Sequence, residues 1–475
     1  MSQDESYPLP ADISYQCASY RSQLPAWNLL EDVYVGDRAW VQTQPDGTLQ
    51  PKANAQRYLP RLPGEDGPDY TLRLSQSHFS DKFAQTCRDF LGLVFNNGVR
   101  LVDVPRAITD NWDNLSGTEQ TGDRMCADLG LAALRFGHSF SLVDFPAEDS
   151  SIVSLADALG AGRHPYWQSI TPLQVINWRV MRQAGRNVLS MAVLCYEQTL
   201  PEGEFGEVAQ TFYLRLTPGR FDTFTLEKQR NGQIRTIYHP DRSGVMGRKV
   251  RGILQPFDHI PLVCLYGGDR TGFFSSNPTL YSLAKLNIAH YQIVSDHRQK
   301  MHYCCFPSPV RVGGQGDDMV LGPKKIVDVP LGGGFAWAEP NSQSLAMSRI
   351  EVQDIEKEMD FLGADYLVKP SDRQAAATTM ISAKKIESEL YLFASDFAAG
   401  ITECLRQHAL WLGLPSGGRC ELQTKFFSDL ASDPQLLLAY LRMHELEAID
   451  RTELRELASA TKFFPDTFLG ANHHA

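Results

Sequence analysis

Apolar positions change their period along the chain. From about Ser77, the residues Phe79, Phe83, Cys87, Phe90 and Val94 recur three or four apart, which predicts one face of a helix with Gly98 as its stop. A second helix is predicted over Gly122–Phe136, leading into the apolar stretch Phe140-Ser-Leu-Val-Asp-Phe, a strand ended by Pro146. From Asn187 to His239 the period is two. Val188–Glu197, Thr211–Leu216 and Phe221–Lys228 read as strands, the last two separated by Pro218-Gly219. Asn231-Gly232 between Phe221–Arg230 and Gln233–Tyr238 is a strong hairpin signal, so the middle of the chain is expected to be an antiparallel meander. Ile260–Tyr266 adds one more strand. Residues 1–75, with the run Tyr58-Leu-Pro-Arg-Leu-Pro-Gly-Glu-Asp-Gly-Pro, read as irregular and turn-rich.

Long helices follow. Asn277-Pro278 reads as an N-cap with proline at the first helical position. The run from Pro278 to about His302 has no breaker and would reach about 38 Å at 1.5 Å per residue. Pro307 and Pro309 are expected to end it. Residues 306–343 hold short apolar pieces (Val310-Arg-Val, Met319-Val-Leu, Ile326-Val-Asp-Val, Phe335-Ala-Trp) punctuated by Gly313-Gly314, Gly322-Pro323 and Gly332-Gly-Gly334, the pattern of a small β module. Ser348-x-x-Glu351 reads as a capping box opening a helix with Ile350, Ile355, Met359, Leu362 and Tyr366, broken by Pro370. A very long amphipathic helix is predicted over Thr379–Leu412, with Ile386, Leu390, Phe393, Phe397 and Ile401 on one face. A short strand near Cys420–Phe426 comes next, and further helices are capped by Asp433-Pro434 and Asp450-x-x-Glu453.

Composition narrows the classes. The 475 residues carry 45 Lys+Arg against 56 Asp+Glu, a formal net charge of −11, which argues against a protein that grips nucleic acid tightly. With 43% hydrophobic and 21% charged residues the chain is an ordinary folded protein. The polar, acidic start Met1-Ser-Gln-Asp-Glu gives no expectation of a signal peptide. No segment approaches the roughly 18 apolar residues of a membrane span, since the richest, Leu390–Leu414, contains Asp396, Glu403 and Arg406. The nine cysteines form no C-x-x-C pair, which fits reduced thiols in a cytoplasm.

Catalytic signatures are sparse. Gly413-Leu-Pro-Ser-Gly-Gly418 has phosphate-loop glycine spacing, yet Arg419 and Cys420 stand where a Lys and a Ser or Thr are needed, and the run follows a helix. It reads as a C-terminal glycine turn. Gly137-His-Ser-Phe-Ser141 lacks the second glycine of a nucleophile elbow. His290, His297, His302, Cys304 and Cys305 resemble a metal set on paper, but a seven-residue spacing along one helix reads as a polar stripe on a packed face. Glu351, Asp354 and Glu358 line another helix face and, with Lys357 beside them, read as a solvated surface. The residues by themselves assign no catalytic group, no cofactor and no metal.

The order of elements, a β-rich body, a long helix, a glycine- and proline-punctuated β module, a second helix, a loop and a very long helix, resembles the portal (head-to-tail connector) proteins of tailed bacteriophages. The resembling stretches are Trp27-Asn-Leu-Leu-Glu-Asp-Val-Tyr-Val-Gly36, Tyr58-Leu-Pro60, Leu142-Val-Asp-Phe-Pro146, Val175-Ile-Asn-Trp-Arg179, Ile260-Pro-Leu-Val263, Leu286-Asn-Ile-Ala-His-Tyr-Gln-Ile-Val-Ser-Asp296 and Phe306-Pro-Ser-Pro-Val310. They run in collinear order over about residues 20–415 and look like an uncharacterised branch of that family.

The resemblance implies an α+β portal architecture. Residues 1–275 would be the wing, 276–305 the first stem helix, 306–343 the clip, and 344–367 the second stem helix. Residues 368–378 would be a channel loop, 379–430 the wing spine helix and strand, and 431–475 the crown helices. It further implies a dodecameric ring at one vertex of the virion, assembled in the bacterial host cytoplasm, with no membrane partner. Double-stranded DNA would pass through it, and its partners would be major capsid and scaffold proteins, the terminase packaging motor and head-tail adaptors. Such a conduit must hold DNA without gripping it. Between Arg349 and Leu390 there are six basic and nine acidic residues, and Glu351, Asp354 and Glu358 would repel phosphate. Lys369, Arg373, Lys324 and Lys325 are the candidate DNA or motor contacts. The competing expectations are a metal-dependent soluble enzyme using the acidic face or the His/Cys stretch, and a shorter ring-forming adaptor.

Overall fold

The computed structural model describes residues 12–146, 163–229, 233–250, 253–305, 308–312, 334–338, 342–363, 376–424 and 426. Its longer helices are α1 (Ala18–Val35), α2 (Gly67–Gln76), α3 (Lys82–Phe95), α4 (Gly122–Phe136), α5 (Tyr281–Cys305), α6 (Ser342–Leu362) and α7 (Ala376–Leu412). The strands that matter for the argument are β1 (His138–Asp144), β2 (Tyr166–Ile170), β3 (Val175–Gln183), β4 (Arg186–Glu202), β5 (Gly206–Thr217), β6 (Arg220–Lys228), β7 (Ile234–Val245), β8 (Leu262–Tyr266), β9 (Ser308–Val312) and β10 (Gly334–Ala338). The fold is mixed α+β. The chain forms two compact units, one from residues 1–27, 87–279 and 367–475, the other from 28–86 and 280–366.

Residues 1–75 are not irregular throughout, as the turn-rich composition predicts. Helix α1 runs through Pro25. A proline inside a helix costs about 3 kcal/mol, but Trp27, Leu30 and Val33 on this helix are buried, and each such side chain returns about 1.5–3 kcal/mol. The Trp27 indole also donates to the Phe136 carbonyl at 3.2 Å. Part of the glycine- and proline-rich run opens α2 instead of a loop. Asp66 is its N-cap, accepting from the Asp69 amide at 2.8 Å, and proline occupies its first turn. Helix α3 starts five residues later than the Ser77 expected, so Phe79 precedes it, while Phe83, Cys87, Phe90 and Val94 form the buried face.

In the first unit, β1 is the central strand of a three-stranded antiparallel sheet in the order β8-β1-β2. Both its faces are buried, Ser139 and Ser141 as fully as Phe140 and Leu142. Helix α7 packs on this sheet through Phe393, Phe397, Ile401, Cys404 and Leu405, spaced three and four apart. Gly400 lets it come close: a Cβ there would lie 2.9 Å from the Leu265 side chain of β8. Trp411 locks the helix end by donating to the Val143 carbonyl at 2.9 Å. The helix closes on the glycine turn expected, with Gly413 at φ +69° and the Leu414 amide on the Ala409 carbonyl at 2.9 Å.

The same unit holds the meander, a five-stranded antiparallel sheet in the order β7-β6-β5-β4-β3. Strand β3 was not legible as a strand, and β4 is longer than expected, 17 residues. Asp222 is buried in β6 between two guanidiniums, with Arg215 at 2.6 Å and Arg220 at 2.8 Å. Strands β6 and β7 pair from Lys228↔Ile234, while Asn231-Gly232 lies outside the described residues.

In the second unit an aromatic cluster supports α5. Trp40 stacks on Tyr58 at 4.5 Å, and its ring lies 5.1 Å from Phe79 and 5.6 Å from Tyr291 of α5. Buried Asn287 ties α5 to the start of α3. Its side-chain oxygen accepts from the Phe83 amide at 3.0 Å and its nitrogen donates to the Ser80 carbonyl at 2.7 Å.

Candidate functional site

Helix α5 begins at Tyr281, so Asn277-Pro278 is not its cap and first residue. Asn277 instead pairs with Asp269 in a short antiparallel ribbon, and Pro278 lies against Gly137, where a Cβ would come within 3.1 Å of the proline nitrogen. Helix α6 begins at Ser342, so Ser348 lies inside it and caps nothing. Its hydroxyl is 3.2 Å from His297 Nδ1 of α5. The buried His290 places Nε2 3.4 Å from Glu356 of α6. The lower-numbered histidine meets the higher-numbered partner, so α5 and α6 run antiparallel.

Strands β9 and β10 pair with each other. Ser308 pairs with Ala338 and Val312 with Gly334. Helices α5 and α6 therefore form an antiparallel pair, and β9 and β10 an antiparallel ribbon between them in chain order. Helix α6 is tied back to the body of its unit by Lys82, which is 2.6 Å from Asp360.

Glu351, Asp354 and Glu358 are exposed on α6. Lys357 neutralises one of them in part, 2.8 Å from Asp354, an exposed pair worth little in stability. The helix carries five acidic residues, Glu351, Asp354, Glu356, Glu358 and Asp360, against Arg349 and Lys357. The surface is one of negative potential that polyanions would avoid at distances within about 10 Å at ordinary ionic strength.

His290 and His297 each face a polar side chain of α6 as just described, and the side chains of His302, Cys304 and Cys305 lie outside the described residues. Among the described residues no three His, Cys, Asp or Glu side chains form a metal-binding group. Lys324, Lys325, Lys369 and Arg373 also lie outside them, as do Met319-Val-Leu, Ile326-Val-Asp-Val, the 368–375 part of the predicted loop and the helices beyond Asp433. No helix among the described residues is long and apolar enough to cross a membrane. Sequence reading did not see that α5 and α6 pair residue by residue. The available signal was the near-symmetric spacing of Val310-Arg-Val and Phe335-Ala-Trp about Pro323.

A family model described as a domain of unknown function, DUF4055, matches residues 279–412, the span from the start of α5 to the end of α7. No curated protein matches the sequence. Among solved structures the chain is similar to one from the virion of a native gene transfer agent particle, at 12% identity and a TM-score of 0.35, covering 83% of this chain and 94% of that one. It is also similar to chains from the neck of an empty gene transfer agent particle, at 13% identity and 0.37 with the same coverage. The neck of a native particle computed with C12 symmetry provides another, at 12% identity and 0.35, covering 81% of this chain and 90% of that one.

Proposed function

We propose that the chain is the portal subunit of a tailed-phage-like particle, a ring-forming structural protein that serves as conduit for double-stranded DNA and as platform for the packaging motor and the tail. The observation that supports this reading best is the 281–362 excursion. Two antiparallel helices with an antiparallel two-stranded ribbon between them in chain order follow a β-rich body and precede a 37-residue helix. In this assignment α5 and α6 are the stem, β9 and β10 belong to the clip, α7 is the wing spine, and residues 431–475 supply the crown. Glu351, Asp354 and Glu358 keep phosphate from sticking. Lys369 and Arg373 in the channel loop, and Lys324 and Lys325 in the clip, make passing contacts with DNA or motor. Scaffold, major capsid and adaptor proteins are the remaining partners, and the ring resides in the virion.

The test is native mass spectrometry of the full chain with negative-stain imaging. A ring with a central hole, near twelve copies of the 53.1 kDa chain, is the expected result. A compact dimer or tetramer without a hole would overturn the proposal. On the ring, replacing Glu351, Asp354 and Glu358 together by lysine is expected to create salt-dependent retention of a short DNA duplex that the unaltered ring lacks.

A further inference from the structure

The meander leaves two hairpin ends unsupported, and they differ in charge. Strand β3 pairs with β4 only as far as Leu194, and β6 pairs with β5 only from Phe212. Residues 197–211 therefore stand out as a two-stranded arm whose pairing, Glu197↔Thr211 through Glu202↔Gly206, has no third strand hydrogen-bonded beside it, while Arg242 of β7 donates to the Gln198 side chain at 3.0 Å. A lone two-stranded ribbon is marginal in water. The arm nonetheless displays Phe205, 90% exposed at its tip, and the cross-strand pair Leu200↔Val208, with Val208 42% exposed. Around them stand Glu197, Glu202, Glu204 and Glu207, with no basic residue between positions 197 and 207.

The opposite end of β4 is the β3–β4 turn. Here Arg179, Arg182 and Arg186 are exposed, flanked by Val180 at 38% and Met181 at 51% exposure, with no acidic residue between positions 179 and 186. None of the three guanidiniums has an ion-pair partner among the described residues. Charge placed only to keep sheet edges soluble would serve with either sign. At these two hairpins the signs are opposite, and each carries exposed apolar side chains.

The two ends cannot meet within one molecule. They sit at opposite termini of β4, whose 17 residues at about 3.3 Å each hold them about 50 Å apart. We infer that the acidic arm of one copy docks on the arginine turn of a second copy of this chain, Phe205 and Val208 seating against Val180 and Met181 while the glutamates pair with Arg179, Arg182 and Arg186. Such a contact joins two different patches, so it is head to tail. It repeats around a closed ring or along a filament and does not stop at a two-fold dimer. The inference stands apart from the portal reading, because a chain of any function with this sheet would carry it.

Sedimentation velocity of the full-length protein tests it, at low and at high ionic strength. Two charge-reversed chains are required, one with Glu202→Lys, Glu204→Lys and Glu207→Lys, the other with Arg179→Glu, Arg182→Glu and Arg186→Glu. Each reversal alone is expected to weaken self-association about tenfold or more, with unchanged circular dichroism because every altered side chain is exposed. Combining all six substitutions in one chain is expected to restore association, as is mixing the two reversed chains. Phe205→Ser in the unaltered background is expected to weaken it as well. The inference is overturned if the unaltered chain stays monomeric, if either reversal leaves association unchanged, or if the six-substitution chain fails to recover. Negative-stain images separate this outcome from the previous proposal. Rings that survive both reversals would keep the portal reading and sink this contact, whereas charge-dependent oligomers without a central hole would do the opposite.

Discussion

Replacing Arg73 by methionine should loosen the support of α5 more than any surface change. The guanidinium grips Glu65 with two bonds, Nε to Oε1 at 2.7 Å and Nη2 to Oε2 at 2.9 Å. It also donates to the Pro60 carbonyl at 2.6 Å and reaches Ser295 of α5 at 3.4 Å. The two side chains are only 6% and 5% exposed. Methionine fills most of the volume but leaves the Glu65 carboxylate buried without its counterion, a loss of about 3–5 kcal/mol. Hydrogen exchange followed by mass spectrometry reads that locally. Amides of α5 and of residues 58–77 that exchange through this opening should speed up by about 10²–10⁴-fold. The pair Arg73→Met with Glu65→Gln removes both charges and should recover most of the loss. There is a pH signature too. The hydrogen bond from Arg73 holds the Glu65 carboxyl below the usual carboxylate range, so the pair stabilises the fold above the unfolded-state value near pH 4.3 and that support is lost as pH falls below it. The single variant should lose this part of the acid sensitivity. Exchange rates within about fivefold of the unaltered protein, or a double variant no better than the single one, would refute the reasoning.

Acid should also act through two buried histidines. Burial pushes His138 down to about 3, and burial, with a smaller effect of His164, does the same to His408. Both stay neutral in the fold and protonate when it opens, so stability is complete above about pH 6.5 and falls as pH drops toward 3, by about 2 kcal/mol for each histidine at pH 5. His138→Asn with His408→Asn, which preserves an acceptor for the Trp167 indole now 3.2 Å from His408, should flatten the thermal-melting profile between pH 7 and pH 5; an unchanged slope would contradict this. Gly400→Ala should cost about 1–3 kcal/mol by overpacking, because the new methyl would lie 2.9 Å from the Leu265 Cγ and 3.2 Å from its Cα and Cβ; melting curves decide it, and no loss would argue against that close approach. Ala184 sits in the β3–β4 turn at φ +48°, so Ala184→Gly should raise stability by about 1 kcal/mol in urea titration, and no gain would argue against strain there.

The sequence disclosed elements whose own residues specify them. Helix α4 has the bounds expected of it, and both its ends are set locally, Thr121 capping it and Gly137 ending it in the left-handed conformation, signals that need no partner. The meander was read from period two and its turn residues, apart from β3. That strand is half exposed and ends in the run Arg179-Val-Met-Arg-Gln, which mixes charge with apolar residues at no clean period. Helix α1 falls in the stretch 1–75 that reads as irregular and turn-rich, and it runs through Pro25. Its compensation, the seat that Phe136 and its neighbours give to Trp27, is 109 residues away. The starts of α5 and α6 were misplaced for the same reason. Asn277 and Ser348 have the side chains of helix caps, but a ribbon claims one and His297 claims the other.

The same distinction governs the candidate site. A catalytic centre announces itself through residue types at fixed spacing, whereas a surface that guides a polymer works through shape and the sign of its charge. Glu351, Asp354 and Glu358 stand out in the sequence as one helix face by their spacing, and the structure shows α6 paired along α5 with those three side chains exposed. The meander repeats the lesson. Three arginines and four glutamates lie within 29 residues of one another, close enough in sequence to read as mutual neutralisation. The extended β4 turns that proximity into separation, so the two sets face solvent at opposite ends of one strand and are open to another molecule. If self-association of the full chain responds to reversal at one end and recovers on reversal at the other, the sheet is the element that sets the order of copies. The helical hairpin would then be free to serve the passage it lines in the proposed ring.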